Sequence, residues 1–164
     1  MKAAVIKKFG GFDVFEYTDV EMPKATSKEV VIKILASGVN RIDHYLREGQ
    51  MMPNIPLPHI FGSDAVGEVT EIGADVTDFK VGDRVIPVPG FPMDEKDWSI
   101  NPITLAPSYG LLGAGNWGTY AEYVKVPATF LVKDETGLPA EEVATLPMVI
   151  VTGVRALKEV GNVK

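Results

Sequence analysis

Gly62, Gly67, Gly73 and Gly82 punctuate the stretch FGSDAVGEVTEIGADVTDFKVGDRV, Phe61 to Val85, at points where an apolar alternation begins, bends or stops. Glycine enters positive φ or permits close backbone approach without a Cβ penalty, so these positions read as backbone hinges. The spacing predicts two short strands, Ala65 to Ile72 and Asp83 to Val88. Val66, Val69 and Ile72 alternate with polar residues or end the first strand, and Val81-Gly82-Asp83 sets a turn directly before Val85-Ile86-Pro87-Val88.

Short strands and turns are expected along the whole chain, because 12 prolines and 16 glycines are spread over 164 residues. Met1 to Lys7 and Phe12 to Val20 read as a hairpin about Gly10-Gly11. Lys28 to Ala36, KEVVIKILA, carries apolar residues on both faces and predicts a central strand. Asn40 then caps a short helix in which Ile42, Tyr45 and Leu46 recur at helical spacing before Gly49. Pro53, Pro56 and Pro58 keep Gln50 to Ile60 extended. Gly90 to Trp117 shows no strand ladder, and Trp98, Tyr109 and Trp117 within it read as loop anchors. Thr119 to Pro127 and Phe130 to Lys133 return to strand patterns. Pro139 to Ala144 opens a helical stretch, with Glu141 and Glu142 in its first turn, and Val149 to Val160 forms a further helix ending near Gly161.

A hydrophobic content of 46% supports one core and one domain. Net charge of −6 and a pI near 4.9 argue against a nucleic-acid partner, since phosphate neutralisation needs clustered Lys and Arg. No apolar run approaches the ~20 residues of a membrane-spanning helix, and no secretory pattern opens the chain, so a cytoplasmic protein without a membrane partner is expected. The absence of cysteine excludes disulfides, thiolate zinc sites and cysteine nucleophiles. His44 and His59 lack a ligand partner at helical spacing and read as hydrogen-bonded or surface imidazoles.

Several motifs occur in one order: GVNRIDHYLREG from Gly38, G-x-D-x-x-G-x-V from Gly62, K-x-G-D-R-V from Lys80, TYAEYVKVPA from Thr119 and ATLPMVIVTGVRAL from Ala144. Together they resemble the N-terminal GroES-like catalytic domain of the medium-chain dehydrogenase/reductase superfamily, in its alcohol dehydrogenase-like and quinone oxidoreductase-like branches. The resemblance implies a mainly β fold with a few peripheral helices, a partly open GroES-like β-barrel over residues 1–164. Residues 148–164 would lead toward a nucleotide-binding Rossmann domain that is absent from the chain, since no Gly-rich turn follows a strand here.

Zinc-dependent members place metal ligands where this sequence has Asn40, Gly62-Ser63-Asp64 and Met148, so the resemblance implies no zinc and no metal-binding residue. It puts Asn40 and Tyr45 beside the nicotinamide and the substrate as catalytic groups, with Asp43 and Arg47 at the mouth of the site and Asp43 bracing its neighbours. Thr152, together with Asn40, is implied as a cofactor contact. Read from the residues alone, the four polar positions also fit a helix cap with a solvated face, Asp64 a turn-forming carboxylate, and Thr152 a hydroxyl bonded back to a preceding carbonyl. The implied function is the catalytic-domain portion of an NAD(P)H-dependent oxidoreductase acting on a small carbonyl, enone or quinone, inactive and without bound cofactor on its own. The alternative is a non-catalytic interaction module, whose bare TLPMVIVTGV segment would drive homo-oligomer formation.

Overall fold

The computed structural model describes residues 1–163. Strands β1 (Lys2–Ile6) and β2 (Phe15–Asp19) pair antiparallel, with Lys2 opposite Asp19 and Ile6 opposite Phe15. The long strand β3 (Glu29–Gly38) leads into helix α1 (Arg41–Arg47), and the chain returns as β4 (Asp64–Ile72). The remaining strands are β5 (Arg84–Pro87), β6 (Gly90–Pro92), β7 (Tyr109–Leu111), β8 (Tyr123–Pro127) and β9 (Leu131–Lys133). Helices α2 (Ala140–Val143) and α3 (Pro147–Val154) follow, and α3 runs on as π-wound turns over Arg155–Val160.

Five strands, in the order β8-β3-β4-β5-β9, form a curled half-barrel sheet. Every strand pair among the described residues is antiparallel, so none of them builds the parallel βαβ unit of a dinucleotide fold. β3 is flanked on both sides, as its apolar run requires, and Val30, Val31 and Ile32 are fully buried. Val30, Ile32, Val69, Val85, Val124 and Val126 pack with Phe91, Leu112 and Phe130 inside the curl. A second cluster of Ile6, Val14, Leu46, Ile55, Phe61 and Ala114 clamps the β1–β2 hairpin and α1 onto the sheet. Each of these larger side chains contributes roughly 1.5–3 kcal/mol on burial, which makes the clusters the main source of stability.

The glycine reading of β4 holds for two different reasons. Gly62 takes φ of +100°, a left-handed value that favours glycine. Gly67 has no such torsion; a Cβ there would strike the Lys33 carbonyl of β3, beside a register shift between Ile34 and Ala36.

Four expectations need correction. Phe12–Val14 is a 3₁₀ turn and not strand, because the β1 register ends at Ile6 and leaves these residues no partner. Gly90 to Trp117 does contain a ladder, β6 against β7, with Gly90 opposite Leu111 and Pro92 opposite Tyr109. Thr119 to Glu122 precedes β8 and instead reaches the hairpin, where Ala121 bridges Ala3. The last helix begins at Pro147, before the apolar run, because proline suits the first helical position.

These packing differences predict opposite signs for two alanine substitutions. Gly67→Ala forces two strands apart and lowers stability by roughly 1–3 kcal/mol. Gly153→Ala adds a Cβ into open space within α3 and raises stability by up to about 1 kcal/mol. Urea denaturation midpoints at unchanged slope check both, and the reverse order would contradict the assignment.

Candidate active site

β3 passes into α1 through Gly38-Val39-Asn40, and Asn40 stands as the N-cap of α1 in extended backbone, φ −110° and ψ 153°. Its backbone N–H donates to Asp43 Oδ2 at 2.8 Å, one half of a capping box. Its side chain turns elsewhere, and Nδ2 donates to Asp64 Oδ2 at 3.0 Å. Asp64 Oδ1 in turn accepts the Met148 backbone N–H at 3.0 Å. The carboxylate is 1% exposed. A single buried group at the start of β4 therefore ties the start of α1 to the first turn of α3, where free N–H groups need acceptors.

The backbone beneath is fixed as well. Ser37 Oγ and Thr119 Oγ1 both donate to the Asp64 carbonyl, at 3.0 and 3.1 Å, and Ser63 Oγ donates to the Leu112 carbonyl at 2.7 Å. Asp43, 5% exposed, accepts the Tyr120 hydroxyl on Oδ2 at 2.7 Å. Burial raises the pKa of Asp43, against the Tyr120 and Asn40 hydrogen bonds. Burial also raises Asp64, opposed by Asn40 and Met148, and the charge of Asp43 adds to the rise. The Tyr120 phenol is driven far above its ordinary value by burial first and by Asp43 second. His59 is lowered by burial, and its Nε2–H donates to the Gly113 carbonyl at 3.0 Å.

Helix α1 separates two spaces. Ile42 and Leu46 face a cleft of about 440 Å³, shared with Met51, Met93, Tyr109 and Leu111. Through Tyr109 and Leu111 this cleft continues into a space of about 670 Å³ that reaches Met148 and Thr152 on α3. On the other side, Asn40, Asp43, His44 and Arg47 line a cavity of about 340 Å³ walled by Phe12, Phe15, Val39 and Tyr120.

The residues singled out in the sequence fall into this frame unevenly. Asn40 and Asp43 belong to one hydrogen-bonded network. Tyr45 is half-buried beside His44, ring centroids 5.4 Å apart, with the Arg41 guanidinium 5.5 Å from its ring. Arg47 is 2% exposed, donates to His44 Nδ1 and Glu48 Oε1 at 3.0 Å each, and stacks on Phe12 at 4.3 Å. It therefore lies behind α1, away from the cleft. Thr152 is exposed in the cleft, and its hydroxyl donates to the Met148 carbonyl at 2.9 Å. Trp98 anchors its loop through Nε1–H to the Pro92 carbonyl at 3.0 Å. Tyr120 and the Met148 N–H are site groups that the sequence reading missed. Tyr120 sat in a recognised motif but read only as a strand residue, and a backbone donor leaves no signal in residue type.

Residues 26–139 match the alcohol dehydrogenase GroES-like domain family. The chain belongs to that family. This GroES-like domain is 37% identical over 163 residues to an alcohol dehydrogenase of Geobacillus stearothermophilus, covering 98% of this chain and 48% of the relative. It is 30% identical over 157 residues to a chloroplastic quinone-oxidoreductase homolog of Spinacia oleracea, covering 94% and 41%. The crystal structure of an NAD-dependent alcohol dehydrogenase superposes with a TM-score of 0.91 at 34% identity, over 97% of this chain and 47% of that one. The GroES-like domain thus spans about half the length of the curated relatives it matches. Its resemblance to medium-chain dehydrogenase/reductase enzymes and its mainly β architecture both hold. Among the described residues no three His, Asp or Glu side chains group to hold a metal ion, and no helix is long and apolar enough to cross a membrane.

A carboxyl whose pKa is higher in the folded state than in the unfolded one stabilises the fold in full below the unfolded pKa, and less as pH rises through the folded value. Asp64→Asn removes that titration and sets an amide N–H against Asn40 or the Met148 N–H. The wild-type advantage over D64N is therefore largest near the unfolded pKa, about pH 4, and shrinks as pH rises. Urea denaturation across a pH series measures it, and an advantage that grows with pH would contradict the burial-driven rise of the Asp64 pKa.

Proposed function

We propose that this chain is the substrate-side portion of a zinc-independent, NAD(P)H-dependent oxidoreductase that reduces a small carbonyl, enone or quinone. It turns over only when joined to a portion that holds the dinucleotide. The observation that carries the reading is the engagement of both Asp64 oxygens, by Asn40 and by Met148 N–H, at the positions where the resemblance puts zinc donors. An amide, a thioether and a carboxylate already spent on two hydrogen bonds do not fit zinc, which takes thiolate, imidazole or free carboxylate. The printed names of the relatives, alcohol dehydrogenase and quinone oxidoreductase, support the reaction class.

That no strand, Gly-rich turn and helix occur together among the described residues supports a dinucleotide held by a further portion. When bound from elsewhere, NAD(P)H supplies the hydride. This chain supplies orientation and charge stabilisation. Asn40 is tied through Asp64 to Met148, which lines the cleft, and in this reading its second Nδ2–H donates there to the acceptor oxygen as negative charge develops on it. Asp64 holds the amide plane, so the donor need not reorganise. Asp43, itself fixed by the Tyr120 hydroxyl, braces Asn40 by accepting its backbone N–H, Tyr45 is the phenol assigned to proton return, and Thr152 lines the cofactor side of the cleft. Ile42, Met51, Met93 and Leu111 take the apolar body of the substrate and exclude water.

A chimera of this chain with the second half of the Geobacillus relative tests the proposal. Expected are NAD(P)H-dependent reduction of 1,4-benzoquinone that EDTA leaves intact, no turnover by the isolated chain, and a loss in kcat of about 10²-fold or more in Asn40→Ala. NADPH oxidation by the isolated chain, or one zinc bound per chain in equilibrium dialysis, would overturn it. A second reading rests on α3, where Val149, Ile150, Val151 and Val154 stand exposed: an interaction module that self-associates through this helix. A monomer at high concentration in sedimentation velocity counts against that reading.

A further inference from the structure

Three of the six methionines of the chain line one space, the cleft of about 440 Å³ that Ile42 and Leu46 face: Met51 and Met52 from the loop after α1, and Met93 from the end of β6. A fourth, Met148, lines its continuation toward α3. We propose that Met51 and Met52 are a reversible oxidation site, where a hydroperoxide converts the thioethers to sulfoxides and so closes the cleft to apolar compounds. The consequence for substrate rests on the reading above, in which this cleft takes the substrate's apolar body.

Access separates these sulfurs. Met51 is 58% exposed and Met52 45%, so an oxidant in solvent reaches both. Met93 is half-buried against the core, and a Cβ built on Gly110 would lie 3.1 Å from its Cε, one on Gly115 3.3 Å from its Cγ. Its thioether is therefore shielded. The loop that carries the exposed pair is held at both ends: Gly49, at φ +73°, turns the chain against the Phe9 ring, and the Gln50 N–H donates to the Tyr45 carbonyl at 3.0 Å. Beyond the pair, the Met52 carbonyl accepts the N–H of the buried Ile55 at 3.3 Å. Both thioethers are thus kept at the cleft.

The chain has no cysteine, so thioether is the only sulfur it offers to an oxidant. With hydrogen peroxide, a sulfur lone pair attacks one oxygen; the S–O bond forms as the O–O bond breaks, and the second oxygen leaves with both protons as water. The same electron pair oxidises the sulfur and reduces the peroxide, and a methionine sulfoxide reductase restores the thioether. The product matters because of where it stands. Among the described residues no charged side chain lines the cleft, and the Ser108 hydroxyl is spent on Asp97, donating to Oδ2 at 2.6 Å. A sulfoxide oxygen there keeps its hydrogen bonds only with water, so an apolar ligand that displaces the water leaves it unpaired. A flexible apolar wall becomes a polar one.

Acetophenone titrated into the chain labelled with [methyl-¹³C]methionine tests the site by NMR, before and after hydrogen peroxide. Expected are saturable shifts of the Met51, Met52 and Met93 methyls in the reduced chain, and conversion of Met51 and Met52 ahead of Met93 by peptide mass spectrometry. Once both are converted, acetophenone binds about tenfold more weakly or worse, and methionine sulfoxide reductase restores it. Met22, 43% exposed and not among the residues lining the cleft, is the control. Met22→Leu still loses binding on oxidation, whereas Met51→Leu/Met52→Leu, compared with itself before and after peroxide, does not. No methyl shifts in the reduced chain, Met93 converted first, binding unchanged after conversion of both, or an equal loss in the double variant would each overturn the proposal. None of these readouts involves a dinucleotide or turnover. An inactive chimera therefore sinks the oxidoreductase reading alone, and binding indifferent to oxidation beside an active chimera sinks the oxidation site alone.

Discussion

Asp64 holds a carboxylate out of water at the one place where three elements of this chain meet. Withdrawing such a group from solvent is costly unless its oxygens are satisfied, and here each has its own donor, Asn40 Nδ2 on one side and the Met148 N–H on the other. The two donors come from residues 24 and 84 positions away in sequence, so the bond pair forms only when α1 and α3 are both in place. Ser37 and Thr119 then grip the Asp64 carbonyl from β3 and from the segment before β8. Satisfying one anion thus fixes the relative position of the amide, the cleft and the helix that carries Thr152.

The scaffold that makes this possible is ordinary hydrophobic packing. The curl of β8-β3-β4-β5-β9 encloses the valine-rich core, and the Leu46–Phe61 cluster presses α1 against it. With α1 seated by Leu46, its neighbouring residues are dealt to opposite sides. Ile42 meets the cleft, whereas Asp43 and Arg47 meet the space on the other side of the helix. A helix of two turns therefore borders two surfaces, with Ile42 on one and, on the other, Asp43 held by Tyr120 and Arg47 paired with Glu48.

Elements set by local spacing were readable in advance. The alternation in β4, the continuous apolar run of β3 and the Asn40 cap of α1 each follow from neighbours a few residues apart, and each is found. What depended on distant partners was not readable. β6 and β7 are three residues each, separated by two 3₁₀ turns, too short for a period to show. Phe12 looks like strand until the β1 register runs out opposite Phe15. Asp43 was legible as a brace, but its partner Tyr120 lies 77 residues away, and the Asp64 bond to Met148 uses a backbone donor that any residue type would supply.

The family is shared with alcohol dehydrogenases and quinone-oxidoreductase homologs about twice as long, and the apolar helix α3 has its first turn held by Asp64. Amide hydrogen exchange at Met148 reads that bond directly. Strong protection in the wild-type chain, lost in Asp64→Ala while the amides of β3 and β4 stay protected, is the result the account predicts. Equal exchange at Met148 in the two proteins would contradict it.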